Sequence, residues 1–291
     1  MKTSLLLSIY HKNTVEELNR CFESIKTQND IPNEIIFIID GPIEASVFNA
    51  IKKWNEILPL KFYELQENMG LAHALNHGMK FCTNDWVFRM DIDDVCARDR
   101  FTKQLKFIDS NPDIDILGGK ILCFESFPNL FPGRAVPATF RAIQKFIKYR
   151  NPLNHPSVFF NRKKIMEIGG YPDARLGQDY LLWINAMING LKIQNTEDVL
   201  VYMQADKNSY SRRGLRNLKY DAYPYLLMYQ HKMSNIFEFL IGLTIRFIYC
   251  SYCSIRAMFK LRKTTLFIIM IALLGKVRLM CQYYPLQPSL D

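Results

Sequence analysis

The run Asp91-Ile92-Asp93-Asp94 puts three carboxylates directly after the apolar segment Asp85–Met90. Carboxylates at i and i+2 beyond a strand end can face the same side of a turn. Hard oxygen donors of this kind suit Mg²⁺ or Mn²⁺, which in turn hold phosphates. A Ca²⁺ EF-hand loop is excluded, because the central Gly and the distant Glu are both missing. No Gly-x-Gly-x-x-Gly follows the first apolar run, and no Gly-x-x-x-x-Gly-Lys-Ser/Thr occurs, so the glycine-cradle routes to a bound phosphate lose their support. A metal at the aspartates would neutralise phosphates instead.

Other residues with chemical potential read more plainly. His73 and His77 stand at i and i+4, but no Glu completes a zinc motif. The first is expected to line a pocket or to lie exposed. His155, between Asn154 and Pro156, is either a structural histidine or part of an acceptor site. Seven cysteines are spaced irregularly, and Cys250-x-x-Cys253 has no second pair to build a zinc site. Those two thiols are expected on one helical face, buried or against lipid. Reduced cysteines fit a cytoplasmic chain.

The elements that must hold the aspartates alternate in βαβ fashion over the first 120 residues. Thr3–Tyr10 reads as a strand, too short for a signal peptide and running straight into the polar loop His11–Thr14. Val15–Gln28 has Leu18, Cys21, Phe22 and Ile25 at helical spacing. Glu34–Asp40 is a near-continuous apolar strand, as expected of one covered on both faces. A helix over Ile43–Trp54, a strand over Lys61–Leu65, a helix over Gly70–Phe81 and a strand over Asp85–Met90 follow. The expected class is α/β, with a Rossmann-type, mostly parallel sheet flanked by helices. Ligands then bind outside the carboxyl ends of the strands. Asp40, Asp91, Asp93 and Asp94 should open onto that one crevice.

Charge separates the tail from the rest. Of 37 Lys+Arg and 28 Asp+Glu, residues 211–291 hold 12 basic and three acidic residues, so the whole formal +9 lies there. Such asymmetry calls for an anionic partner. Apolar runs Ile236–Ile245 and Phe247–Ile255, divided by Arg246, and an uncharged run Thr264–Gly275 are each too short to span a bilayer. Apolar helices studded with Lys and Arg suit the plane of an anionic membrane surface and not nucleic acid. A packed basic subdomain or dimer interface is the alternative.

Several ordered motifs over about residues 3–215 resemble the family-2 glycosyltransferases, which have the GT-A fold. Ser8-Ile-Tyr10 is similar to the start of the nucleotide loop, and Ile38-Ile-Asp40-Gly41-Pro42 to the family's aspartate–glycine turn. Asn68-Met-Gly70 resembles its Asn-x-Gly helix start, and Asp91-Ile-Asp93 its DxD motif. Asn151-Pro-Leu-Asn-His155-Pro-Ser-Val and Gly169-Gly-Tyr171…Gln178-Asp179-Tyr-Leu-Leu-Trp183 resemble the acceptor and catalytic regions. The most similar subgroup builds bacterial exopolysaccharide, capsule or O-antigen repeats.

Charge and apolar runs set residues 216–291 apart as a helical, membrane-associating tail, and the resemblance implies a GT-A-like domain over residues 1–215. It also implies roles. Asp40 would accept a hydrogen bond from the base, normally uracil, with Ser8, Tyr10 and Asn68 in the same donor pocket. Asp91 would contact ribose or metal, and Asp93 would ligate Mn²⁺ or Mg²⁺. Asp179 would be the general base, a role that suits a carboxylate near a helix N-terminus. Arg212 and Arg213 would approach the diphosphate. Tyr180 and Trp183 would offer faces to sugar rings or pack in the core.

The implied reaction is an inverting, metal-dependent transfer of a hexose from a UDP-sugar to a lipid-diphosphate-linked saccharide. Its expected place is the cytoplasmic face of the bacterial inner membrane, held peripherally. Three positions depart from the family pattern. Ile39 replaces the first of two aspartates, Gln178 replaces a Glu, and Met203 stands where Arg is common, with no nearby His as a third metal ligand. The alternatives are a non-catalytic sugar-nucleotide-binding or scaffold subunit, and a nucleotidyltransferase. The latter needs a Gly-rich basic loop that His11–Thr14 does not supply.

Overall fold

A computed structural model describes residues 1–174, 176–205 and 214–259. The chain divides into two compact units, Met1–Gln204 and Ala205–Asp291.

The first unit begins with β1 (Thr3–Ile9), α1 (Val15–Lys26), β2 (Glu34–Ile39), α2 (Ala45–Asn55), β3 (Leu60–Glu64), α3 (Leu71–Phe81) and β4 (Trp86–Arg89). It continues with β5 (Val95–Cys96), α4 (Arg100–Ser110), β6 (Ile116–Phe124), β7 (Leu130–Pro132) and α5 (Phe140–Phe146). A 3-10 turn at His155–Ser157 leads into β8 (Phe159–Asn161), α6 (Arg162–Glu167), α7 (Gln178–Ile188) and β9 (Ile193–Gln204).

The strand order is β3-β2-β1-β4-β8-β6-β9-β5, with β7 on β6. β3, β2, β1 and β4 are mutually parallel, as the βαβ alternation requires. Beyond β4 the sheet is mixed: β8 runs antiparallel to β4 and β6, while β6 and β9 pair in parallel. Every residue of β2 is buried, which explains its unbroken apolar run. Helix α3 lies so close to the sheet that a Cβ on Gly78 would come within 2.4 Å of Leu6 Cδ1. That glycine lets α3 pack directly on Leu6 of β1 and Ile38 of β2.

The chain goes β1→β2→β3 to one side of β1 and then returns to its other side as β4. The order therefore reverses between β1 and β4, the position where open α/β sheets bind ligands. The loop after β1 and the aspartates after β4 flank this point.

In the second unit, α8 (Leu218–Gln230) and α9 (Ile236–Phe259) form an antiparallel pair. Here the structure corrects the expectation of runs too short to span. Arg246 does not divide the apolar stretch, because its guanidinium pairs with Asp221 of α8. The 24 residues of α9 form one helix, roughly 36 Å at 1.5 Å per residue. Ile236–Ile255 is long and apolar enough to cross a membrane by length and composition. Cys250 and Cys253 are buried on α9, as their spacing predicts. The basic run from Lys260 and the Thr264–Gly275 segment lie outside the described residues.

Candidate functional site

Arg89 ends β4 with its side chain inside the protein, only 1% exposed. Its guanidinium grips both oxygens of Asp91, with Nη1 donating to Oδ2 at 2.7 Å and Nη2 to Oδ1. Buried Arg100 at the start of α4 donates to the Arg89 carbonyl at 2.7 Å, and its Nε donates to Gln104. Two buried cations thus brace the strand end that carries the acidic turn. A two-pronged Arg–carboxylate pair fixes orientation as well as charge.

One ligand oxygen from each of Asp91, Asp93 and Asp94 lies within 4.8 Å of the others. Asp94 is buried; Oδ1 accepts from the Gln204 amide at 2.8 Å, and Oδ2 has no hydrogen-bond partner among the described residues. Burial, with the Asp91 charge adding to it, pushes the Asp93 carboxyl up to about 7. Burial and both neighbouring aspartates likewise push Asp94 well above the carboxylate range. Three crowded hard-oxygen donors, one with a buried unused oxygen, fit a divalent cation that would displace protons on binding.

A network that sequence spacing did not disclose holds this turn to the loop after β1. Arg20 of α1 donates to the Asp93 carbonyl at 3.0 Å and to the Gln204 side chain. Gln204 in turn donates to Glu17 at 3.0 Å. Glu17 closes a capping box with Thr14 and accepts from Asn13, whose Oδ1 takes the Tyr10 amide. The partners are up to 187 residues apart in sequence, so no local pattern could reveal them. Tyr10 is exposed at the mouth of this loop, and Ser8 is half-buried on β1.

Asp40 is not a member of that carboxylate cluster. Its oxygens accept the amides of Met69 at 2.7 Å and Gly70 at 3.0 Å, at the N-terminus of α3, and its carbonyl accepts from Asn68. Gly41 makes this contact possible, with φ +82° and no room for a Cβ, which would stand 2.5 Å from the Asn68 nitrogen. Any hydrogen bond from a nucleotide base would share a carboxylate that already accepts two amides.

Asp179 lies in the first turn of α7, after Gly177 at φ +71°. Asn151 donates to its Oδ2 at 2.6 Å. Beneath it, buried Tyr171 shares a hydrogen bond of 2.9 Å with His155 Nε2. Burial raises the Tyr171 phenol. Arg89 opposes that rise, whereas Asp179 and Asp91 add to it, so both carboxylates act on one neighbourhood. Burial holds His155 neutral, with Arg89 reinforcing it. His155 is thus a structural partner of Tyr171. His73 is exposed beside Asp173, and His77 packs on Phe81.

Tyr180 and Trp183 are correctly read only as core. Trp183 is wholly buried, and buried Tyr180 donates its hydroxyl to the Ile147 carbonyl, so neither offers a face to a sugar. Their i, i+3 spacing serves packing. Arg212 and Arg213 lie outside the described residues.

The sequence matches the model for "Glycosyl transferase family 2" over residues 4–169. It is 35% identical, over 84% of this chain and 90% of the relative, to the UDP-Gal:alpha-D-GlcNAc-diphosphoundecaprenol beta-1,3-galactosyltransferase of Escherichia coli. It is 32% identical to the amylovoran biosynthesis glycosyltransferase AmsE of Erwinia amylovora, over 84% of this chain and 91% of that one. Among solved structures, the mannosyltransferase PcManGT of Pyrobaculum calidifontis in complex with GDP-Man and Mn²⁺ superposes with a TM-score of 0.61. That match has 16% identity and covers 94% of this chain and 80% of the other. It shows the shared GT-A fold. The chain belongs to glycosyltransferase family 2, and its relatives include bacterial polysaccharide-biosynthesis glycosyltransferases.

Proposed function

We propose that this family-2 glycosyltransferase moves a hexose, with inversion, from a UDP-sugar to a saccharide carried on a lipid diphosphate. The observation that carries the reading is the pairing of two acidic centres across Tyr171. One is the Asp91–Asp94 turn at the sheet's switch point, and the other is Asp179 at the head of α7. The E. coli relative's UDP-Gal donor and diphosphoundecaprenol acceptor support both substrate classes.

Asp179 takes the proton of the acceptor hydroxyl as that oxygen attacks the anomeric carbon. Attack from the face opposite the leaving diphosphate inverts the centre, so an α-linked donor gives a β-linked product. The loop Tyr10–Thr14, the Asp40–Asn68 corner and Asp91 line the donor side. Arg212 and Arg213 keep the diphosphate role that the family pattern implies for them. Asp93, with Asp91 held in place by Arg89, would hold Mn²⁺ or Mg²⁺. The bound cation would neutralise charge on the departing diphosphate. The Mn²⁺ in the Pyrobaculum enzyme supports a divalent cation as the cofactor.

The second unit would attach the enzyme to the cytoplasmic face of the inner membrane. Tyr223, Leu226 and Tyr229 of α8 and Phe237, Leu240, Ile241 and Phe247 of α9 are exposed. All of the protein's excess positive charge lies in residues 211–291. Apolar burial and attraction to anionic lipid would act together there. The Arg246–Asp221 pair favours a helix lying in the interface over one that crosses. A crossing α9 would take Asp221 to mid-bilayer with it, on a 13-residue α8 that reaches only about 20 Å. The functional test is incubation of the membrane fraction with a panel of UDP-sugars and a lipid-diphosphate-linked monosaccharide. No transfer from any of them would remove the reading.

A further inference from the structure

We propose that Asn151 is a positioning residue for the base, selecting which oxygen of Asp179 receives the acceptor proton. The inference rests on the reading of Asp179 as that base.

The geometry fixes Asn151 from both ends. Its Oδ1 accepts the Leu153 amide at 3.1 Å, which sets the amide plane and turns Nδ2 toward α7. Nδ2 then donates to Asp179 Oδ2 at 2.6 Å. Pro152 restricts the backbone of Asn151 to extended conformations. Leu153 is fully buried, and its carbonyl accepts from Arg134. The donor therefore comes from a rigid support. The Asn151 amide nitrogen can only donate, so it holds a carboxylate oxygen without competing for the acceptor's proton. The bond to Oδ2 fixes the rotation of the carboxylate and leaves Oδ1 as the oxygen without a hydrogen-bond partner among the described residues, the one to receive the hydroxyl proton.

In the sequence, Asn151 opens the stretch that resembles an acceptor region, 28 residues from Asp179. No role in proton transfer follows from that spacing.

Among the described residues, titratable groups meet this pair from two sides. Tyr171 faces Asp179 from the turn after α6, and its phenol is held protonated by burial. His155 meets that phenol and is held neutral by burial. Arg89 and Asp91 act on the same phenol from the end of β4. Asp93 titrates near 7 without metal, so the assay must keep Mn²⁺ saturating.

The test compares wild type with Asn151→Ser and Asp179→Asn by steady-state kinetics at saturating Mn²⁺. Asn151→Ser is neutral and keeps an oxygen that can accept the Leu153 amide, so the loop is retained. Its side chain is too short to reach Asp179, so the donor is lost and no charge is added. The expected result is a kcat reduced ~10-fold or more, the scale of a lost hydrogen bond to a charged group, with donor KM and melting temperature little changed. A merely structural role would lower the melting temperature and leave the kcat-to-KM split unmoved. Unchanged kcat in Asn151→Ser, with Asp179→Asn inactive, would overturn the role of Asn151 and leave the base in place. Near-normal turnover in Asp179→Asn would overturn the base assignment, and the proposal with it.

Discussion

Arg89 encloses Asp91: the guanidinium is inside the protein, and the carboxylate it grips stands at the opening, about one-third exposed. The acidic turn is therefore aimed by a cation from its own strand. Asp93, two residues on, is left with its carbonyl held by Arg20 and its carboxylate toward its two acidic neighbours.

Replacing Arg89 tests that arrangement. Arg89→Ala leaves Asp91 beside a buried void with no counter-charge, and breaking such a pair costs about 3 kcal/mol. Arg89→Lys restores charge without the fork and should recover only part of the stability. Chemical denaturation of the three proteins measures both. Equal midpoints would show that the pair holds nothing in place.

Asp93→Ala removes a carboxylate and no core packing. Mn²⁺-dependent UDP binding should disappear by titration calorimetry, while the melting temperature of the metal-free protein stays at or above that of wild type. Metal-dependent affinity equal to wild type would sink the ligand assignment.

The Asp93 pH dependence has a definite sign. Its folded-state carboxyl sits near 7 against an ordinary 3.8, so the metal-free native state binds the proton more tightly than the unfolded chain. The stability this contributes is present below about pH 4 and is lost as pH rises through 7. A bound cation offsets the loss. The rise in melting temperature on adding Mn²⁺ should therefore be small at pH 6 and large at pH 8. An increment that shrinks with pH would contradict the argument.

The α8–α9 unit makes a separate prediction. Full-length protein should float with vesicles containing anionic lipid, more weakly at high salt but not freed by it, since apolar contact is not screened. Phe237→Asp with Leu240→Asp should reduce flotation at every salt concentration. Indifference to vesicles would return the unit to the dimer-interface reading, and periplasmic access to the C-terminus would show that α9 crosses.

What could be read beforehand follows from the range of the interactions. β2 and the aspartate turn were legible because burial on both faces gives an unbroken apolar run, and strand ends in parallel sheets face one side. The starts of α1 and α3 fall within two residues of expectation. Residue type alone did not decide the fate of Tyr180 and Trp183, since an aromatic pair at i, i+3 serves a core or a sugar equally well. Arg246 misled for the opposite reason. It looked like a break in an apolar run because its partner, Asp221, is 25 residues away on another helix. The Arg20–Gln204–Glu17 links and the Asn151–Asp179 bond join distant segments, which only the assembled sheet brings together.

The central claim is inverting transfer with Asp179 as base. Its most direct measurement is the anomeric configuration and rate of product formed from an α-linked UDP-hexose and a lipid-diphosphate-linked monosaccharide, for wild type and Asp179→Asn. The account predicts a β-linked product from wild type. It also predicts a fall of ~10²–10⁴ in kcat for the variant, typical of general-base removal, with donor affinity retained. An α-linked product, or a variant that transfers at nearly the normal rate, would contradict it.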